Sequence, residues 1–189
     1  LVAYTGLGVA LAQTLVNLAG HSLLLLALGT AVASIVLGMG MPAAACYILV
    51  AVLMAPSLVA AGVPPLLAHL FVFYFGNFSF LTPPVALAVY AAASISGAPF
   101  LATCWQAIRL ALAGFIVPFM FLYKPGMALM GSAGDIAGAL VDSAVAVVLL
   151  AVALEGYWYG TLSWWRRGLI GIAALLMFFP GWDTRIAGL

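Results

Sequence analysis

Long apolar stretches, each interrupted by glycine and proline, set the pattern of this chain. Residues 1–18 are apolar and helical in character. Residues 23–55 and 66–96 are also apolar almost throughout. One straight helix over residues 23–55 would be about 50 Å long, whereas the hydrocarbon core of a membrane is about 30 Å thick. Residues 23–55 therefore do not fit as a single upright span. Residues 66–96 are of similar length and do not fit either.

Each over-long stretch contains one place where its helix should break. Residues 38–42 read Gly-Met-Gly-Met-Pro, in which glycine loosens the helix and proline removes a donor and clashes with the preceding turn. Residues 80–84 read Phe-Leu-Thr-Pro-Pro. We expect Pro42 and Pro84 each to open a new helix. Each pair of arms then forms either a re-entrant hairpin or a span unwound at its middle, and the sequence leaves that choice open.

The rest of the chain reads as a loop followed by ordinary helices. Residues 56–65, with three prolines and a glycine, predict a loop between the two broken segments. Aromatic residues at 156–165 predict a belt at a membrane surface. Spanning helices are predicted at residues 106–123, 136–154 and 167–179.

These elements give a two-part organisation. Residues 1–124 hold the first helix, the two broken segments at 38–42 and 80–84, and one spanning helix. Residues 125–189 form a C-terminal extension with two further transmembrane helices. The chain begins with Leu1 and no charged segment precedes its apolar stretch, so we expect no signal peptide and a start inside a longer polypeptide.

Composition places the chain in a membrane. It is 68% hydrophobic and 5% charged, with a mean hydropathy of +1.32, whereas a soluble domain has roughly a quarter of its residues charged. The fold class is therefore an all-α integral membrane protein. No basic patch indicates nucleic-acid binding, and no nucleophile–base pair or metal-ligand cluster indicates an enzyme.

Charge is absent from the part of the chain that carries the breaks. Residues 1–108 contain no Lys, Arg, Asp or Glu, so an ion or polar substrate there would be held by carbonyls, helix ends, hydroxyls and amides. The carboxyl end of a half-helix suits Na⁺, and the amino end suits a carboxylate. The Asn77 amide and the Thr82 hydroxyl add oxygen donors beside the second break. The alternative is that glycine and proline only kink the helices.

Three sequences carry a resemblance to a known family. The chain reads GMGMPAAACY from residue 38, GVPPLLAHLFVFYFGNFSFLTPPVALAVYAAASISGA from residue 62, and AGFIVPFMFLYKP from residue 113. Together they resemble the large, DctM-like membrane subunit of TRAP transporters, most closely the fused permease of the TAXI type. The resemblance covers about residues 1–130, and the tail, with ALEGYWYG and FFPGWDT, is similar to the C-terminal extension of TAXI-type permeases.

The resemblance implies a secondary transporter of the elevator type that imports an organic acid with Na⁺ as its coupling ion. Its transport domain consists of two inverted halves, of which this chain would supply the C-terminal one. The implied partners are a periplasmic substrate-binding protein, the N-terminal half of the permease, and a small membrane subunit or fused segment. The implied location is the bacterial inner membrane, in which the protein would be multi-pass and surrounded by lipid.

Carried over by motif, the two break segments would line a sodium site and contact the substrate. The implied sodium ligands are Gly38, Met39, Gly40, Asn77, Ser79, Thr82 and Pro83. The implied substrate contacts are Met41, Pro42, Ala43, Tyr47, Pro84 and Val85. The alternative hypothesis is a non-transporting scaffold or assembly module, whose breaks serve packing alone.

Overall fold

The computed structural model describes residues 6–20 and 22–178, and those residues form an all-helical protein, as predicted. Outside the helices, the described part of the chain contains a 3₁₀ turn at Pro125–Ala128 and an isolated bridge between Tyr157 and Thr161. The helices are α1 (Leu7–Ala19), α2 (Leu23–Gly38), α3 (Ala43–Leu53), α4 (Ala55–Ala60), α5 (Pro65–Phe78), α6 (Leu87–Ser96), α7 (Phe100–Tyr123), α8 (Ala133–Glu155) and α9 (Trp164–Phe178).

Three described segments are long and apolar enough to cross a membrane. They are Ala43–Ala60, which joins α3 and α4, and the single helices α7 and α8. The helices α2, α5 and α6 are apolar but shorter, because each of them ends or begins at one of the two breaks. The predicted multi-pass, all-α membrane protein is therefore confirmed as a fold class.

The chain divides into two compact units, Leu1–Ala111 and Leu112–Leu189, and the division falls within α7. Both predicted breaks lie in the first unit. We call residues 39–42 the first break and residues 79–86 the second break. Each separates two helices, as the glycine and proline pattern predicts.

The helices on either side of the first break fold back on each other. Thr30 lies about two turns before the end of α2, and Ser57 lies in α4, beyond α3. In a continuous helix these residues would be more than about 30 Å apart, but their hydroxyl oxygens are 3.2 Å apart and fully buried. Because the Ser57 hydroxyl donates to the Met54 carbonyl, Thr30 is the donor between the two. Helix α2 and helices α3–α4 therefore form an antiparallel hairpin, with residues 39–42 at its tip.

Helix α5 packs against the hairpin. It contacts α2, α3 and α4 and buries one face against them, with Leu67, Phe71 and Val72 almost fully inaccessible. Gly38 on the hairpin and Gly76 on α5 allow the two backbones to approach closely, as small residues commonly do between membrane helices. The first unit therefore has its core between the hairpin and α5.

The region between the broken segments corrects one prediction. Residues 56–65 were expected to form a loop, but α4 covers Ala55–Ala60, and the connection is confined to residues 61–64. Pro56 lies in the first turn of α4, where its missing N–H leaves no helical hydrogen bond unmade. The proline therefore begins a helix here instead of excluding one.

The two prolines expected to open helices also lie differently. Pro42 directly precedes α3 and its carbonyl accepts the Cys46 N–H, so Ala43 is the first helical residue. Pro84 lies well before α6, which begins only at Leu87. The peptide bond between Pro83 and Pro84 is cis, and Ala86 has a left-handed backbone with φ of 39°. Since α6 begins only at Leu87, the prediction that Pro84 opens a helix is wrong.

The later helices begin earlier than predicted. Helix α7 starts at Phe100, before residue 106, because the apolar pattern continues back through residues 100–105. Helix α8 includes the predicted span at 136–154 and begins at a capping box formed by Ser132 and Asp135. Helix α9 starts at Trp164, and the predicted end of the last span at residue 179 lies outside the described residues.

Candidate functional site

A glycine at the end of α2 brings the two breaks into contact. A Cβ atom added to Gly38 would lie 2.6 Å from the Gly76 carbonyl oxygen, 2.8 Å from the Cys46 Sγ atom and 3.0 Å from the Ser79 Oγ atom. Only a residue without a side chain fits there. Because Gly38 precedes the first break and Ser79 begins the second, the hairpin tip and the end of α5 meet at one place.

A second glycine completes this contact from the other helix. A Cβ atom at Gly76 would lie 2.9 Å from the Cys46 Sγ atom and 3.3 Å from a methyl group of Val50. The Cys46 side chain is fully buried and acts as a small apolar residue among three helices. Gly38, Cys46 and Gly76 thus form a close junction of α2, α3 and α5.

Two serine hydroxyls near this junction have no hydrogen-bond partner. Ser34 is fully buried and Ser79 is 2% exposed, and neither Oγ atom has a hydrogen-bonding partner among the described residues. Ser34 lies one turn before Gly38, on the same face of α2, and Ser79 contacts the Gly38 position directly. Burying a hydroxyl without a partner costs about 1–3 kcal/mol. Such unpaired oxygens are suited to a ligand that accepts lone pairs, such as a cation.

The carbonyl groups at the end of α2 accept only long backbone hydrogen bonds. The Met39 N–H contacts the Val36 carbonyl at 3.4 Å, and the Met41 N–H contacts the Gly38 carbonyl at 3.5 Å, both at the long limit for a hydrogen bond. Gly40 has a positive φ of 77°, which lets the chain turn sharply at the tip. The end of α2 therefore presents partly free carbonyl oxygens and the negative end of a helix dipole.

The second break satisfies its polar groups differently. The Phe78 carbonyl accepts the N–H groups of Leu81 and Thr82 and also the Thr82 hydroxyl, at 3.0–3.1 Å. The Asn77 amide nitrogen donates to the Phe73 carbonyl at 2.8 Å. The Thr82 hydroxyl and the Asn77 amide, both predicted sodium ligands, therefore donate to carbonyls within α5.

The predicted substrate contacts at the two breaks are exposed or only partly buried. At the first break Met41 is partly buried, while Pro42 and Ala43 are exposed. At the second break Pro84 is exposed and Val85 is partly buried, and Pro83, a predicted sodium ligand, is also exposed. The remaining candidate, Tyr47, lies between helices.

Tyr47 bridges α3 and α5. Its hydroxyl lies 3.2 Å from the His69 Nδ1 atom, and its ring makes an edge contact with Phe73, with ring centroids 5.6 Å apart. The hydroxyl of Tyr47 thus has a partner within the protein. The contact holds α3 beside α5.

The charged residues of the chain begin at Arg109 and are remote from this junction in sequence. The Lys124 ammonium group contacts the Asp142 carboxylate at 2.7 Å, so the acidic side chain within α8 has a basic partner. Over residues 6–20 and 22–178, no cluster of three His, Cys, Asp or Glu side chains could hold a metal. A cation at the junction would therefore be bound by uncharged oxygens.

Sequence reasoning missed three residues of the junction. Ser34, Cys46 and Gly76 lie within helices, where a serine, a cysteine or a glycine attracts no special prediction. The spacing of Ser34 and Gly38, one helical turn apart, placed them on one face of α2. The contact between Gly38 and Gly76 could not be read from either local sequence.

Comparison with known protein families gives a match over most of the chain. The family model described as "Tripartite ATP-independent periplasmic transporter, DctM component" matches residues 1–136. No curated protein and no solved structure matches the chain. The matched range contains the hairpin, both breaks and α7, and therefore the whole candidate site.

Proposed function

The chain belongs to the DctM component family of tripartite ATP-independent periplasmic transporters, and on that premise we propose that it forms part of a permease that imports an organic acid together with Na⁺. The family is one of transporters, so the chain is part of a membrane permease subunit. Sodium coupling, the acidic substrate and the elevator movement are the proposal.

The observation that carries the sodium proposal is the unpaired Ser79 hydroxyl. It is buried, has no partner among the described residues, and touches the Gly38 position at the end of α2. Hydroxyl and carbonyl oxygens at the carboxyl end of a half-helix are the groups that bind Na⁺ in transporters. We therefore place the ion between the end of α2 and Ser79, with Ser34 as a further oxygen donor from the α2 face.

The proposal of an anionic substrate rests on the amino end of α3, which follows the first break. Helix α3 begins at Ala43, and its first-turn N–H groups have no helical acceptor. Residues 42–45 are exposed there. Since residues 1–108 contain no Lys or Arg, the amino end of α3 and the bound cation supply the positive potential that a carboxylate requires.

The hairpin supports transport by movement of a preformed unit. Thr30 and Ser57 tie its two arms together, and the Gly38–Gly76 contact ties its tip to α5. In an elevator mechanism, this unit would carry the ion and substrate across the bacterial inner membrane. A periplasmic substrate-binding protein would deliver the acid, and the N-terminal half of the permease with a small membrane subunit or fused segment would complete the site and scaffold.

One observation favours the scaffold alternative for part of the site. The donor groups of Asn77 and Thr82 bond to carbonyls of α5, so these two side chains have a packing role available without any ion. The alternative predicts that every polar residue at the breaks tolerates apolar replacement.

The test is Na⁺-dependent uptake by the full-length permease in proteoliposomes, with its binding protein present. For Ser79→Ala we expect the half-saturating Na⁺ concentration to rise about tenfold, the effect of losing roughly 1.4 kcal/mol of ion binding. Ser94→Ala is the matched control, since the Ser94 hydroxyl is exposed on α6 and bonds to its own helix at the Tyr90 carbonyl. Unchanged Na⁺ dependence in a folded Ser79→Ala protein would refute the proposed ion site.

A further inference from the structure

The first turn of α9 carries two adjacent arginines that make different contacts. The Arg167 Nε atom donates to the Ala153 carbonyl at 2.9 Å, and its Nη2 atom donates to the Leu154 carbonyl at 2.6 Å. Arg167 therefore caps the carboxyl end of α8. A Cβ atom on Gly156 would lie 2.8 Å from this guanidinium, so the glycine makes room for the cap.

Arg166 has no such role. Its side chain is exposed, and its guanidinium carbon lies 5.2 Å from the centroid of the Trp165 ring. Within residues 6–20 and 22–178, no acidic side chain pairs with it. Stacking on an aromatic ring leaves the edge of a guanidinium free to donate hydrogen bonds. A positively charged group with free donors thus lies at the start of α9.

The surroundings of Arg166 place it at the level of lipid headgroups. Helix α8 is long and apolar enough to span a membrane, and the connection between α8 and α9 lies at its carboxyl end. Exposed aromatic side chains surround the connection, a distribution typical of the interface between hydrocarbon and water. They are Tyr157, Trp158, Tyr159, Trp164 and Trp165, each at least 50% exposed.

We propose that Arg166 and Trp165 bind the phosphate headgroup of an anionic phospholipid. A guanidinium recognises phosphate through paired charge-assisted hydrogen bonds, and the first N–H groups of α9 add positive potential on the same side. The exposed aromatic rings provide apolar contact for the glycerol and upper acyl chain of a lipid, which free phosphate lacks. Helix α9 would thereby be anchored to one leaflet independently of the transport site.

The experiment is native mass spectrometry of the purified full-length permease titrated with phosphatidylglycerol, with phosphatidylcholine as the neutral comparison. We expect Arg166→Gln to weaken phosphatidylglycerol binding about fivefold, the worth of one arginine near an anionic surface, and to leave phosphatidylcholine binding unchanged. Trp165→Leu, which removes the ring beneath the guanidinium, should weaken it less.

Arg109→Gln is the control for loss of one positive charge elsewhere, since Arg109 is an exposed arginine in α7. It should bind phosphatidylglycerol like the wild type. Equal binding by Arg166→Gln and wild type would overturn the proposal, and so would an equal loss in Arg109→Gln. Displacement of the lipid by inorganic phosphate at similar concentration would also overturn it, because the site would then be one for a free anion.

Discussion

The two breaks look alike in sequence but are held together by different interactions. The first break has long backbone hydrogen bonds of 3.4 and 3.5 Å and depends on close packing of Gly38 against α3 and α5. The second break closes on itself, with three donors on the Phe78 carbonyl and an Ala88 N–H that reaches back to the Phe80 carbonyl at 3.1 Å. Packing against neighbouring helices therefore determines the backbone of the first break, whereas local hydrogen bonds determine the backbone of the second.

This difference bears on where the proposed ion would bind. The unpaired Ser34 hydroxyl lies within α2, and the unpaired Ser79 hydroxyl lies at the start of the second break, beside Gly38. Beyond Ser79, the second break has a hydroxyl and backbone N–H groups that already donate hydrogen bonds within the chain.

The largest effect on stability should follow from adding a side-chain atom at Gly38, where α2 packs against α5. Gly38→Ala would place a methyl group 2.6 Å from the Gly76 carbonyl oxygen, so α2 must move away from α5. We expect a loss of about 2–3 kcal/mol in stability, as for overpacked cores, measured by thermal unfolding of the purified protein. Gly40→Ala is the control: its φ of 77° makes alanine strained by about 1–2 kcal/mol, but nothing lies within 4 Å.

Equal melting temperatures for the two glycine variants would show that the tip conformation, and not the contact with α5, defines the first break. A Gly38→Ala protein as stable as the wild type would remove the packing explanation altogether.

An intermediate effect of opposite sign should follow from removing an unpaired hydroxyl. Ser34→Ala eliminates a buried oxygen without a partner, so in Na⁺-free buffer we expect the variant to gain about 1 kcal/mol of stability. In high Na⁺ the advantage should shrink or reverse, because the wild type then binds the ion. The measurement is the melting temperature of wild type and variant across a Na⁺ titration with K⁺ replacing Na⁺. A constant difference at all Na⁺ concentrations would exclude Ser34 from the ion site.

The smallest effect should follow at the second break. Thr82→Val removes one of three donors from the Phe78 carbonyl, and two backbone donors remain. We expect a loss of no more than about 1 kcal/mol and an unchanged Na⁺ dependence of uptake. Thr103→Val is a matched control, because Thr103 makes the same bond to the carbonyl four residues earlier, at Pro99. A Thr82→Val protein with a much weaker response to Na⁺ would make the Thr82 side chain part of the ion site.

The sequence predicts the positions of both breaks because glycine and proline act on their own stretch of backbone. The same local reasoning failed at residues 56–65, where Pro56 occupies the first turn of a helix that later residues stabilise by burial. It failed again at Pro84, since the backbone of Ala86 delays the helix. Local chemistry therefore locates a break more reliably than it locates the next helix.

The candidate site could be predicted only in part. Gly38 and Ser79 were named from motifs, but their contact joins segments that lie far apart in sequence and depends on the hairpin packing against α5. The hairpin itself is recognised by the hydrogen bond between Thr30 and Ser57, and neither residue lies in a distinctive sequence motif. The unpaired Ser34 hydroxyl was missed because an isolated serine in an apolar helix usually has no special role.

The ion pair between Lys124 and Asp142 bears on how the chain enters the membrane during synthesis. A lone carboxylate at the centre of an inserting helix costs about 2.5–3.5 kcal/mol, and Asp142 lies in the apolar helix α8. Its partner follows directly after α7 and lies 2.7 Å away. Leaving the translocon as a pair, α7 and α8 would present a neutralised contact to lipid, so this ion pair favours joint over sequential release of the two helices.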